Sequence, residues 1–217
     1  MKLLAIFAAA SLTGVFPQID RAPKYQFAGS DQLAFQIAQG APADVFAAAS
    51  PKYPDQLYAQ RLCSKPAVFA TNTVVLIVPR SNPAGIHSVY DLRRDGIALV
   101  IGAKGVPIGD YTRKMLSNLG LSDVLKNVVS EEDDVKLVAA KVAFGEADAG
   151  FVYRTDVRPV TSKVIRIAVP AAGRPTVKYE LCIPTSTTHR ALATAFVREV
   201  LSKRGRATLR AAGFGLP

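Results

Sequence analysis

A chain of 217 residues, 49% of them hydrophobic, has material for one large core or two small ones, and no apolar run after residue 16 approaches the roughly 18 to 20 residues that span a bilayer. Its 27 Lys and Arg against 17 Asp and Glu give a formal charge of +10, which suits an anionic partner. The basic residues are spread along the chain without interleaved aromatics, which argues against nucleic acid as that partner.

The first run, MKLLAIFAAASLTGVF, has the form of a secretory signal peptide, with Lys2, an apolar stretch from Leu3 to Ala10 and the small residues Ala8-Ala9-Ala10. The letters FAAAS recur at Phe46 to Ser50, deep inside the sequence, where they serve as strand and turn. On that ground the opening run is expected to be the first strand, with Met1 standing where an export signal would otherwise be. Further β-rich runs predict strands at Tyr25 to Phe27, Asp44 to Ala47, Thr73 to Val78, Ala98 to Ile101, Asn127 to Val129, Ala149 to Tyr153, Val164 to Val169 and Val177 to Ile183. Helical patterns lie between them. SDQLAFQIAQG carries Leu33, Phe35 and Ile37 from an N-cap at Ser30 to a stop at Gly40; GDYTRKMLSNLG stops at Gly120 and DDVKLVAAKVAFG at Gly145. Helices from His189 to Leu201 and from Gly205 to Ala212 close the chain.

This alternation predicts an α/β protein with mostly parallel strands. Two long strands ending at prolines, TNTVVLIVP and RPTVKYELCIP, read as crossings between two lobes: 1–78 with 179–217, and 79–178, with a ligand cleft between them.

An enzyme reading finds little support. There is no nucleophile elbow, Walker loop or dinucleotide fingerprint, and neither His87 nor His189 has a metal-ligand neighbour at useful spacing, so both read as loop residues. Cys63 and Cys182 form no metal or redox motif and read as two buried thiols, with a disulfide the alternative in an oxidising compartment. The acidic run SEEDD at Ser130 to Asp134 reads as carboxylates opening a helix, complementing its dipole.

What recurs is a strand followed by a helix start: at Ser11, at Ser30, around Ile108 and around Val135. Each offers unpaired backbone N–H groups and the positive end of a dipole, which together suit an anion. Taken singly, the serines are plain caps, Ile108 and Val135 are core or cleft lining, and Tyr153 is a half-buried aromatic. Taken together, they suit an oxyanion held between two lobes.

The ordered set FAAASLT, FAGSDQLAFQIAQGAPADVFAAAS, FATNTVVLIVPRSNP, VPIGDYTRKMLSNLG, GEADAGFVYRTDV and the terminal GF of LRAAGFGLP resembles the molybdate-binding periplasmic proteins of ABC importers over essentially the whole chain. The resemblance implies a two-lobed type II periplasmic-binding fold, an extracytoplasmic monomer that binds molybdate or tungstate without a cofactor, and delivery to a membrane permease. It implies ligand contacts from the hydroxyls of Ser11 and Ser30, the amides of Ile108 and Val135 and the phenol of Tyr153, with the metal held only as its oxyanion. Three departures stand out: a short first helix region bearing Pro17 and Pro23, Ile108 where relatives often have Ala, and no clear counterpart of the carboxylates that some relatives add, Asp31 and Asp110 being the nearest. Alternatives are a sulfate, thiosulfate or small organic-anion binder on the same fold, or the ligand-sensing domain of a transcription regulator; no helix-turn-helix segment flanks the fold to favour the latter.

Overall fold

The alternation of apolar runs and helical stretches becomes, in chain order, β1 (Ala5–Ala9), α1 (Phe16–Ile19), β2 (Lys24–Ala28), α2 (Ser30–Ala38), β3 (Val45–Ala48), α3 (Lys52–Ala59), β4 (Ala67–Asn72), β5 (Val74–Pro79), β6 (Leu99–Gly102), α4 (Pro107–Asn118), β7 (Val128–Glu132), α5 (Val135–Ala143), β8 (Ala149–Tyr153), β9 (Val164–Ile167), β10 (Val177–Cys182), α6 (Arg190–Leu201) and α7 (Lys203–Ala211). This computed structural model describes residues 3–217; Met1 and Lys2, the start of the signal-like run, lie outside the described residues. The rest of that run is β1, as its repetition predicts: a strand whose residues Ile6 to Ala9 are buried.

The chain divides into two units, one running through Asn72 and resuming at Val177, the other Thr73–Thr176. The divisions therefore fall before the predicted 78/79 and 178/179. The run read as one crossing strand is two strands separated only by Thr73: β4, missed in the sequence, pairs in the first unit's sheet and β5 pairs wholly in the second's.

The first unit's sheet has the order β2-β1-β3-β10-β4. β1 is parallel to both β2 and β3, whereas β10 is antiparallel to β3 and β4. The second sheet repeats the plan as β7-β6-β8-β5-β9, with β6 parallel to β7 and β8 and with β5 antiparallel to β8 and β9. Each sheet is thus evenly mixed rather than mostly parallel. Apolar β-rich runs of either direction look alike in sequence, so the sequence does not reveal which strands run antiparallel.

Helix punctuation is sharper. Gly40 adopts φ +88 and closes α2 with two bonds, its own N–H to Ile37 and that of Ala41 to Gln36; the same pair of bonds recurs at Gly120 and Gly145. α2 buries Leu33, Ala34 and Ile37 against β1 and β3, while Phe35, read as part of its apolar face, is 67% exposed. α1 is four residues long with Pro17 in its first turn, so the short first helix region expected from the prolines is present. An aromatic cluster fills the core on the side of α1, α6 and α7: Phe16 lies 5.7 Å from both Phe69 and Phe196, and Phe69 lies 6.0 Å from Tyr179.

Candidate functional site

In the first unit, the parallel strands β2, β1 and β3 finish at one sheet edge. Ala9 stands opposite Ala28, and Ser11 and Ser30 each follow two residues later, so the register brings both serines to the same edge. Ser11 is the middle residue of a short 3-10 turn, Ala10–Leu12, that directly continues β1. Its Oγ lies 2.9 Å from the hydroxyl of Tyr179 on β10, and the same phenol oxygen accepts Nδ2 of Asn72 at 3.4 Å. Tyr179 is fully buried, its ring set edge-on against Phe214 at 5.4 Å.

Ser30 departs from its predicted role. Gly29 occupies the N-cap and Ser30 is the first helical residue, its Oγ accepting the backbone N–H of Ala49 at 3.1 Å. Ala49 belongs to the second FAAAS, so this hydroxyl ties the turn after β3 to the start of α2. Both serines are nearly buried, at 7% and 1% exposure.

In the second unit, β7, β6 and β8 likewise finish at one edge. Ile108 is the second residue of α4, behind Pro107, and the Val106 cap contributes no side-chain bond. The first-turn amides of a helix have no acceptor within it. Two glycines let this helix start sit against β6: a Cβ on Gly102 would meet the Gly109 nitrogen at 2.7 Å, and one on Gly109 would run into the carbonyls of Gly102 and Ala103. Asp110 Oδ1 accepts the Gly105 N–H at 2.9 Å and Arg113 donates to the Gly102 carbonyl at 2.9 Å, which closes the loop before the helix.

Val135 opens α5. Asp134 is its N-cap and accepts the N–H groups of Lys136 and Leu137 at 2.7 and 3.1 Å, so the cap takes those two amides and not that of Val135. Only Asp134 of the acidic run caps the helix; Ser130, Glu131 and Glu132 end β7, so the run as a whole is not the helix opening that the sequence predicts. Glu131 pairs with Arg113, and Glu132 with Lys141 at 2.6 Å. Burial would raise the Glu132 carboxyl, but hydrogen bonds from Lys141 and Ser130 and the Lys141 charge outweigh it and hold the group below the usual range. Tyr153 ends β8 and is 1% exposed rather than half-buried, with its ring edge-on to Tyr111 at 6.4 Å. Three residues on, burial pushes the Asp156 carboxyl up to about 7, with the Lys136 charge opposing and the Asp134 charge adding to the rise.

The geometry therefore gathers Ser11 and Ser30 in one unit, and sets Ile108, Val135 and Tyr153 at the finishing edge of the parallel strands in the other. Both sets consist of groups able to donate: two hydroxyls, two helix-start amides and a phenol. Among the described residues no three His, Cys, Asp or Glu side chains gather as a metal site. Two further side chains have roles here that local sequence does not reveal: Tyr179 is 168 residues from Ser11, and Asn72 is 107 residues from Tyr179.

His189 is the N-cap of α6, at the helix start that the sequence predicts. It pairs through Nδ1 with Asp44 at 3.1 Å, at the opposite edge of the first sheet, beside a cavity of about 460 Å³ lined by Lys24, Asp44 and Thr187. Burial would raise Asp44, but bonds from Ala5, Thr187 and His189 and the His189 charge lower it overall. Cys63 and Cys182 are both buried free thiols; a hydrogen bond with Cys63 that favours the protonated form, together with burial, pushes the Cys182 thiol up.

Residues 7–215 match the family model described as bacterial extracellular solute-binding protein. The chain is 39% identical over 226 residues to the molybdate-binding protein ModA of Mycobacterium tuberculosis, covering 100% of this chain and 85% of that protein. It is 32% identical to the ModA protein of Haemophilus influenzae, covering 83% of this chain and 77% of that one. Among solved structures, the periplasmic molybdate-binding protein of Azotobacter vinelandii superposes with a TM-score of 0.87 at 24% identity, over 99% of both chains, a likeness of fold. Two sheets of the same mixed plan and a family match across nearly the whole length agree: the chain belongs to the bacterial extracellular solute-binding protein family.

Proposed function

We propose that this protein captures molybdate or tungstate outside the cytoplasm and delivers it to the permease of an ABC importer, acting as a monomer by binding and not by catalysis. One tetrahedral dianion takes hydrogen bonds from Ser11 and Ser30 on the first unit and from Ile108, Val135 and Tyr153 on the second. The anion travels as cargo, and its metal is bound only through its oxygens.

The observation that carries this reading is that every group in both sets can donate and none is a carboxylate, on a chain 39% identical over its full length to a molybdate-binding protein. Hydroxyls and amides that point protons at a small anion favour a fully deprotonated one, since a ligand that brings its own proton leaves two donors facing each other. Size then separates molybdate from sulfate.

Isothermal titration with molybdate, tungstate, sulfate and phosphate tests it. Saturable heat with molybdate or tungstate at micromolar concentrations is expected, and its absence with both sinks the proposal. A Ser11→Ala, Ser30→Ala double variant that binds as tightly as the parent would show that the anion sits elsewhere.

A further inference from the structure

Ser11 and Ser30 carry different partners to the same effect. A serine hydroxyl has one proton to give and lone pairs to receive. At Ser30 the partner is the Ala49 N–H, which can only donate, so a lone pair of Oγ is engaged and the Ser30 proton is directed elsewhere. At Ser11 the partner is the Tyr179 phenol at 2.9 Å, which can act in either sense. Two facts favour donation by the phenol. A phenol is the stronger acid of the two hydroxyls and hence the better donor. Asn72 Nδ2 also donates to the phenol oxygen at 3.4 Å, and accepting that bond polarises the phenol further toward donation.

We propose that Tyr179, backed by Asn72, is a specificity-determining positioning residue: it donates to Ser11 Oγ and thereby commits the Ser11 proton to the ligand. This rests on the reading that Ser11 contacts an oxyanion. The first unit then presents two hydroxyls whose protons are both free for the ligand, each oxygen having one lone pair already engaged, one by an amide and one by a phenol. An anion carrying a proton, such as hydrogen phosphate, is received there only by turning one hydroxyl from donor to acceptor, whereas a bare tetrahedral dianion accepts from both.

The test is Tyr179→Phe, which keeps the ring against Phe69 and Phe214 and removes only the hydroxyl. With its partner gone, Ser11 turns freely and accepts as readily as it donates. By competition titration at pH 6 and pH 8, the variant is expected to lose about 3- to 10-fold in molybdate affinity, the range of one net hydrogen bond. Phosphate affinity is expected to hold or rise, most at pH 6 where phosphate carries more protons, so the molybdate-to-phosphate ratio falls more at pH 6 than at pH 8. Asn72→Ala is expected to move the ratio the same way by less, and it serves if Tyr179→Phe does not fold. Equal weakening for both anions at both pH values would mean a merely structural role and overturn the proposal, as would a ratio unchanged from the parent. A parent that binds neither molybdate nor tungstate defeats the underlying reading instead; a binding parent with an unmoved ratio defeats only this one.

Discussion

Ser30 Oγ accepts the backbone N–H of Ala49 at 3.1 Å, so one buried hydroxyl anchors the turn after β3 and keeps its own proton free to donate. Ser30→Ala leaves the Ala49 amide, buried with its residue at 3% exposure, without that acceptor. The expected cost is on the order of 1 to 3 kcal/mol of stability without any ligand. Urea unfolding of the ligand-free Ser30→Ala variant checks it; a stability equal to the parent's would mean that the Ala49 bond contributes nothing.

Gly109 and Gly102 let the start of α4 approach β6 closely enough to place the Ile108 amide at the strand ends. Gly109→Ala cannot be absorbed by a side-chain rotation, because the new methyl meets backbone carbonyls. Displacement of the helix start is expected, with a stability loss of about 1 to 3 kcal/mol, as for overpacked cores. Molybdate affinity is expected to fall in the fraction that remains folded. A parent-like melting temperature with parent-like affinity would contradict the assigned contact.

Asp134 holds the first turn of α5 through the amides of Lys136 and Leu137. Its replacement by Ala is expected to cost about 0.5 to 2 kcal/mol, and replacement by Asn or Ser to recover most of it. If the Asn variant is as unstable as the Ala variant, the acidic run contributes by charge rather than by capping. Chemical denaturation of the three proteins separates the two.

The buried carboxyl of Asp156 titrates at about 7, above its ordinary range. The native state therefore holds a proton that the unfolded chain has already lost, and this group lowers stability progressively as pH rises from about 4 to about 7. The carboxyls of Asp44 and Glu132 are depressed and act oppositely, losing their contribution as pH falls. Comparison of the parent with Asp156→Asn isolates the first effect. The variant is expected to gain in melting temperature relative to the parent as pH goes from 5 to 8; a constant difference across that range would show that Asp156 is charged in the folded protein.

Much of this architecture was legible because it is local. The repeated FAAAS identified β1 and the turn at Ser11, and the glycines at 40, 120 and 145 marked three helix ends that the structure closes with the same bonds. α3 escaped because Pro54 in SPKYPDQLYAQ suggests a turn, yet in the first helical turn a proline gives up no needed N–H. The strands β5, β9 and β10 are legible, but their antiparallel direction is not, because pairing direction leaves no mark on apolar runs. The partners of the site residues were the least legible. Tyr179 on β10 reads as one more core aromatic until β10 is laid beside β3 and β4, and only that pairing sets its hydroxyl against Ser11.

A crystal of the protein grown with molybdate, measured at the molybdenum absorption edge, tests the central claim most directly. The account predicts one strong anomalous peak per chain, with the surrounding oxygens within hydrogen-bond distance of the hydroxyls of Ser11, Ser30 and Tyr153 and the amides of Ile108 and Val135. A peak held by other residues, or none at saturating molybdate, would contradict it.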